Sequence, residues 1–297
     1  MHMLGYFYIH YDLEIHMDNC VRNIKRVYSK LEKYLENPTE ESIHDMRTTL
    51  RRLESTYQSS PKKIRNNKKM RAFNDTGKHL FKINSKIRDI DIILRKLSTD
   101  GKMTEEQLEP FEHSLTQERD RQLVEARKVA LELQDITVPK IYDKDEISRK
   151  LEKKFRQKIT KNAGRLKVNI EKKTPLVISD VSNVGELHEV RKDTKKLRYL
   201  IELILPKDHD KSDNNTIKNN INASHKEMSY EILEHLEKIQ KMLGDIHDYD
   251  IVIDYLNQNT SNKTAVSDTL KNIVRNREIK YMEFVDYAKS RRLISSK

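Results

Sequence analysis

Apolar residues recur at helical spacing along most of the chain, and the stretch 43–57 shows the pattern clearly. Its apolar positions form one stripe along a helix: Ile43, Met46, Leu50, Leu53 and Tyr57. A second face carries basic residues at i, i+3 and i+7, namely His44, Arg47 and Arg51, with Arg52 about one residue round. A helix that buries one face and aligns guanidinium groups on another is suited to holding an anion.

The same two-faced pattern returns in the stretch 187–201, at a constant offset along the chain. Its basic residues repeat the spacing of the first set: His188, Arg191, Lys195 and Lys196. A second pair of stretches, 82–97 and 241–256, also matches at one offset of its own. Two matched blocks in the same order predict that the chain is two copies of one unit.

The periodicity predicts eight helices, four in each repeat. They span about 12–36, 38–59, 72–97, 104–134, 144–173, 184–206, 225–256 and 264–291. We place the first repeat at 1–138 and the second at 139–297, with the boundary in the segment 137–143. The helical pattern settles only after Met17, so about 17 N-terminal residues are candidates for an extra segment, with Met17 as the start of the native chain.

Capping signals mark three of the predicted helix starts. Asn37 is a candidate N-cap with Pro38 at the first helical position, Asn183 is followed by Glu186, and Ser224 is followed by Glu227. Pro110 predicts a kink or a late start in the fourth helix. The segment 207–224 is rich in Asp, Asn and Lys, which predicts a solvated loop or disordered insert.

The chain is strongly basic: Lys and Arg outnumber Asp and Glu by 58 to 47, which gives a formal net charge of +11. Six basic residues and no acid lie between 62 and 71, and eleven Lys and Arg face two Glu between 149 and 173. This balance indicates a polyanionic partner, either nucleic acid, a membrane surface or polyphosphate, although it also aids solubility. Cys20 is the only cysteine, and no run approaches the roughly 18 apolar residues of a membrane span. We therefore expect a cytoplasmic protein without a membrane partner.

The stretches HDMRTTLRRL and LHEVRKDTKKLRY, with the blocks around 88–91 and 243–250, resemble the conserved histidine α-helical domain (CHAD) family. The resemblance extends from about residue 18 to about residue 292. It implies an all-α fold of two pseudo-symmetric four-helix bundles that binds inorganic polyphosphate without catalysis. Many family members also carry a triphosphate-tunnel domain, whose strand of alternating Glu and Lys is not found here, so we expect a stand-alone member.

The resemblance carries a polyphosphate site most directly to six residues: Arg47, Arg51, Arg52, Arg191, Lys195 and Lys196. We expect neighbouring binding residues on the next helix of each repeat, namely Lys78, Lys82, Lys238 and Lys241. We expect His44 and His188 to face phosphate or to hydrogen-bond between helices rather than to bind a metal, and we expect no cofactor. The acidic blocks 88–91 and 247–250 are interpreted as structural, paired with basic neighbours. At equivalent positions of the two repeats, Thr194 stands where the first repeat has the apolar Leu50, and Glu54 stands where the second has Arg198. The first repeat is therefore expected to bind polyphosphate less tightly at the end of its helix.

Three alternatives remain open at this stage. The basic residues could be solvated faces with intrahelical pairs, such as Asp45 with Arg52 or Asp193 with Arg198. The protein could bind RNA or DNA, although Trp is absent and only Tyr199 is near the basic face to stack bases. It could also hydrolyse polyphosphate, which needs a metal-carboxylate or nucleophile cluster that the spacing does not show. Targeting to polyphosphate granules and scaffolding of another enzyme are both compatible with the sequence.

Overall fold

The computed structural model describes residues 17–138, 149–204, 220–259 and 263–290. In these ranges the regular structure is entirely α-helical, which confirms the all-α prediction. The helices are α1 (Met17–Glu36), α2 (Glu40–Ser59), α3 (Lys62–Arg65), α4 (Lys68–Thr99), α5 (Glu105–Asp135), α6 (Arg149–Ser179), α7 (Val184–Ile204), α8 (Asn220–Gln258) and α9 (Lys263–Ser290). None of the helices in the described ranges has the length and apolarity to cross a membrane.

The start of α2 differs from the prediction by two residues. Thr39, not Asn37, is the N-cap, and its hydroxyl accepts a hydrogen bond from the Ser42 N–H at 3.2 Å. Glu40 and Glu41 then fill the first turn, where carboxylates favour the positive end of the helix dipole. Pro38 therefore precedes the cap instead of opening the helix.

Pro110 neither delays nor ends α5, so the predicted late start is wrong. Thr104 forms a reciprocal capping box with Gln107, which fixes the helix start at Glu105. Pro110 removes the bond to the carbonyl of Glu106, but this residue is exposed and water can replace the bond.

Two helices of the second half extend beyond their predicted ends. α6 continues past Lys173 to Ser179 and includes Pro175, because Thr174 and Val177 are both buried in the core. α8 begins at Asn220, so the predicted Ser224 cap lies inside the helix and the predicted loop 207–224 is shorter. The remainder of that loop, the segment 1–16 and most of the 137–143 boundary lie outside the described residues.

The helices pack in the same order in the two halves. α1 packs on α2, α2 on α4 and α4 on α5, while α6 packs on α7, α7 on α8 and α8 on α9. Gly77 allows α4 to approach α2, since a Cβ there would lie 3.2 Å from Leu50 and 3.3 Å from Leu53. Contacts of α2 with α7 and of α4 with α8 join the halves.

The hydrophobic core is shared between the halves. The larger cluster takes buried residues from both, including Val27 and Phe73 from the first and Phe155 and Phe284 from the second. A smaller cluster joins the end of α4 to the end of α8, for example Leu97 to Val252. The internal repeat, its two bundles and the division at 138/139 stay predictions, but the buried apolar surface is continuous across that division.

A buried hydrogen bond joins α1 to α4. The Tyr34 hydroxyl donates to Asn84 Oδ1 at 2.7 Å, and both side chains are buried. We expect Tyr34→Phe to lower the free energy of unfolding by about 1–2 kcal/mol, because the amide oxygen of Asn84 stays buried without its donor. Urea unfolding followed by circular dichroism measures the change.

The double variant Tyr34→Phe/Asn84→Leu is the matched control. It replaces both polar partners with apolar groups of similar size, so most of the lost stability should return. If the double variant is less stable than Tyr34→Phe, the hydrogen bond is not the source of the effect.

Candidate functional site

The four central helices α2, α4, α7 and α8 surround a cavity of about 640 Å³, here called the central cavity. α2 and α7 pack their apolar faces into the core and turn their basic faces toward each other across this space. α2 contributes His44, Arg47 and Arg51, and α7 contributes the corresponding His188, Arg191 and Lys195. The spacing of the two basic sets in the sequence therefore produces one shared cavity.

The central cavity contains most, but not all, of the predicted binding residues. Eight of the twelve line it: His44, Arg47, Arg51, His188, Arg191, Lys195, Lys196 and Lys241. Four do not belong to the lining: Arg52, Lys78, Lys82 and Lys238.

Arg52 lies outside because it has a structural partner from the other half. Its Nε donates to Glu202 Oε2 at 2.8 Å, and its guanidinium lies 5.7 Å from the Tyr199 ring centre. One residue turns a helix by about 100°, so Arg52 points to a different neighbour from Arg51. Glu202 also pairs with Arg198 at 3.3 Å, so the suggested intrahelical pairs Asp45–Arg52 and Asp193–Arg198 do not form.

The other three predicted neighbours also lie elsewhere on the surface. Lys78 is 3.7 Å from Glu54, and the Lys238 ammonium lies 4.6 Å from the Tyr287 ring centre. Lys82 is exposed on α4. Helical spacing identified their helices correctly but not the faces that meet the central cavity.

Arg47 and Arg191 are the most strongly constrained cations in the central cavity. The Nε atom of each is buried and has no hydrogen-bond partner among the residues that the structure describes. Burial, followed by repulsion from Arg51, lowers the pKa of both guanidinium groups to about 10. Two charged groups thus stand desolvated and incompletely paired at equivalent positions of α2 and α7, an arrangement that normally costs stability.

Lys195 is buried beside these arginines, with only 9% of its surface exposed. Burial, with added repulsion from Arg51, Arg191 and Arg47, lowers the pKa of its amine to about 5. We therefore expect this lysine to give up its proton far more easily than an exposed one when no anion is bound. An anion in the cavity would reverse this, because a nearby negative charge favours the protonated form.

Two aspartates that we interpreted as structural, Asp89 and Asp248, also line the central cavity, and Asp248 pairs with Arg95 at 3.9 Å. Burial raises the pKa of Asp89 and of Asp248, against the opposing charges of Arg47 and Arg191. The structural interpretation holds for their neighbours, since Asp91 pairs with Arg119 at 2.7 Å and Asp250 with Arg277 at 2.6 Å. The matched offset of the two acidic blocks marked Asp89 and Asp248 as a pair, but helical spacing did not show which face they occupy.

The histidines around the central cavity are held in the neutral form. Burial, followed by repulsion from Arg191, lowers the pKa of His247 to about 3, and its ring centre lies 5.2 Å from that of His188. Burial also lowers the pKa values of His44 and His188. Among the described residues no three His, Cys, Asp or Glu side chains form a group that could hold a metal ion.

A family model for the CHAD domain matches residues 22–257, which include every residue that lines the central cavity. The chain belongs to the CHAD family. The resemblance on which the sequence prediction relied is therefore confirmed. A search of the curated proteins gives no match.

The CHAD fold is also found in a solved structure. The crystal structure of the CHAD domain from the plant Ricinus communis matches this chain with a TM-score of 0.55 and 14% sequence identity. The match covers 95% of this chain and 92% of that one. At this identity the likeness shows the CHAD fold alone, and the site must be argued from its own residues.

Proposed function

We propose that this CHAD protein binds inorganic polyphosphate in the central cavity and does so without catalysis. One observation carries the proposal, namely the pair Arg47 and Arg191, whose buried Nε atoms lack hydrogen-bond partners within the described ranges. A phosphate chain offers oxygens to both guanidinium groups, and charge-assisted bonds of this kind are the stronger ones in proteins. The membership of the CHAD family and the excess of cations support the same ligand.

The construction of the central cavity suits a flexible anionic chain. Its volume of about 640 Å³ is within the usual range of ligand sites, and its cations are carried on helices that pack into the core. Arg47 and Arg51 also lie against the Phe81 ring, at 5.7 and 4.8 Å from its centre. The ring limits the motion of both side chains, so less conformational freedom is lost on binding.

The aromatic residues favour polyphosphate over RNA or DNA. Single-stranded nucleic acid is bound by stacking bases on free aromatic faces. The Phe81 ring is already in contact with the guanidinium groups of Arg47 and Arg51. The Tyr199 ring is in contact with those of Arg52 and Arg198. The cavity therefore presents cations to a ligand in place of stacking surfaces.

Calorimetry at two salt concentrations tests the proposal. We expect long-chain polyphosphate to bind tightly, and its affinity to fall steeply as salt rises, because each phosphate that a cation neutralises releases counterions. RNA of the same total charge should compete poorly, since it cannot stack on the covered rings. Tighter binding of RNA than of polyphosphate would replace the proposed ligand with nucleic acid.

A phosphate-release assay with Mg²⁺ or Mn²⁺ tests the absence of catalysis. Intact polyphosphate after incubation agrees with simple binding, and sustained release would make the protein a phosphohydrolase. Through such binding the protein would be held at polyphosphate granules in the cytoplasm, which is part of the same proposal.

A further inference from the structure

A second basic cavity lies where α2 ends, away from the central cavity. It has a volume of about 320 Å³ and is formed by the α2–α3 turn and the beginning of α6. Five of the eight residues that line it are cations: Lys62, Lys63, Arg65, Lys154 and Lys158. The remaining three are Ser60, Pro61 and Leu151, so the part of the lining that the structure describes contains no carboxylate. We call it the α6 cleft.

Two cations of the α6 cleft are held by a single backbone group. Lys158 Nζ and Arg65 Nε both donate to the carbonyl oxygen of Ser60, each at 3.1 Å. Burial, followed by the charge of Arg65, lowers the pKa of Lys158. The two like charges are therefore close together, and a neutral carbonyl compensates only part of their repulsion.

The turn that carries these groups is firmly braced. The Ser60 N–H donates to the carbonyls of Thr56 and Tyr57, and its hydroxyl donates to the carbonyl of Thr56 at 2.7 Å. The Tyr57 hydroxyl donates to the carbonyl of Arg65 at 2.9 Å. Ser60 is fully buried, so the Ser60 carbonyl and its two cations have a fixed position.

The other three cations are free to meet a ligand. Lys62, Lys63 and Lys154 are exposed, and within the described part of the chain no ion pair is formed by any of the three. Converging lysines around a fixed arginine provide both point charges and a planar donor, which together are well matched to phosphate oxygens. An anion bound among the five cations would reduce the repulsion between them.

We propose that the α6 cleft is a second phosphate-binding site, which takes a short segment of inorganic polyphosphate independently of the central cavity. The inference rests on the proposed function for its class of ligand, but not on the residues of the central cavity. The segment can belong to a chain that also occupies the central cavity or to a separate molecule. Both sources present the same phosphoanhydride-linked phosphates to the cleft.

Lysine footprinting with tripolyphosphate tests the α6 cleft. An acetylating reagent modifies exposed lysines, and a bound anion slows the reaction at the lysines that it contacts. We expect tripolyphosphate to slow acetylation of Lys62, Lys63 and Lys154 several-fold. Lys153, Lys161 and Lys172 are exposed on α6 outside the cleft and should react at an unchanged rate in the same sample.

The footprint is repeated in Arg47→Gln/Arg191→Gln, which removes cations of the central cavity only. Protection of the cleft lysines should persist there, while protection of Lys196 and Lys241 in the central cavity is lost. Equal protection of all exposed lysines, or none in the cleft, would overturn the second site. If tripolyphosphate protects the cleft lysines of the wild type but leaves Lys196 and Lys241 unprotected, the result counts against the proposed function and not against the second site.

Calorimetry gives a second measurement that does not depend on acetylation. The wild type should bind two tripolyphosphate molecules, and Lys62→Gln/Lys63→Gln/Lys154→Gln should bind one. The charge-matched control Lys153→Gln/Lys161→Gln/Lys172→Gln should still bind two, and an equal stoichiometry in both triple variants would contradict the proposal. With long-chain polyphosphate, one chain per protein indicates a single chain in both cavities, and two chains indicate separate occupants.

Discussion

Replacing Arg47 and Arg191 together by glutamine is expected to weaken polyphosphate binding by about a hundredfold or more. A hydrogen bond to a charged group contributes roughly 1.5–3 kcal/mol, and the double variant removes at least one such bond from each half. Both Nε atoms are buried without a partner among the described residues, so each is a donor that no other described group occupies. Calorimetry at low salt measures the loss directly.

The same double variant should still fold, because two opposing effects act on its stability. Burial and the charge of Arg51 oppose the ionised form of both arginines, whereas Asp89 and Asp248 favour it, so the net change in the free energy of unfolding should be small. Arg71→Gln/Arg275→Gln is the matched control, because it removes the same charge from exposed positions of α4 and α9. If the control loses as much affinity, net charge and not the central cavity determines binding.

Polyphosphate affinity is expected to rise as pH falls from about 9 toward 5. Without an anion the pKa of Lys195 is lowered to about 5 from its ordinary value of 10.5, and a bound anion raises it. At a pH between the pKa values that Lys195 has without and with bound polyphosphate, binding therefore takes up a proton. The affinity can then rise by up to tenfold for each unit by which the pH falls. Above the pKa that Lys195 has in the complex, its amine is neutral both in the free protein and in the complex. The affinity then no longer depends on pH through this residue.

Calorimetry in buffers of different ionisation enthalpy counts the protons taken up. His188, His247, Asp89 and Asp248 also face the anion, and their charge states contribute to the total near the acidic end of the range. Lys195→Met isolates the lysine, because it keeps the length of the side chain and removes the amine. Near pH 8 the variant should take up about one proton fewer than the wild type, and an unchanged count would assign the uptake to another group.

Periodicity in the sequence grouped several of the residues that line the central cavity, but it could not identify contacts between residues far apart in the chain. Arg47 and Arg51 share a face of α2 at helical spacing, which is a local property of the chain. The partner of Arg52 is Glu202, 150 residues away, and no local pattern shows that contact. Asp89 and Asp248 reach the cavity through the packing of α4 on α8, which is equally non-local.

A different physical factor limited the prediction of the helix ends. Several residues near an end can act as caps, and small differences in local geometry select Thr39 over Asn37. Pro110 and Pro175 suggest helix ends by their missing N–H, yet the helices continue through both. Core packing of Leu108 and Leu115 on either side of Pro110 outweighs its local cost.

The core that spans both halves imposes an order of events during synthesis. The ribosome releases α1–α5 while α6–α9 are still unmade, and translation of the rest takes on the order of ten seconds or more. Throughout that interval the apolar surfaces that Phe155 and Phe284 later help to cover have no native partner. Until the C-terminal helices emerge, the nascent first half therefore exposes part of the apolar surface that the finished core buries.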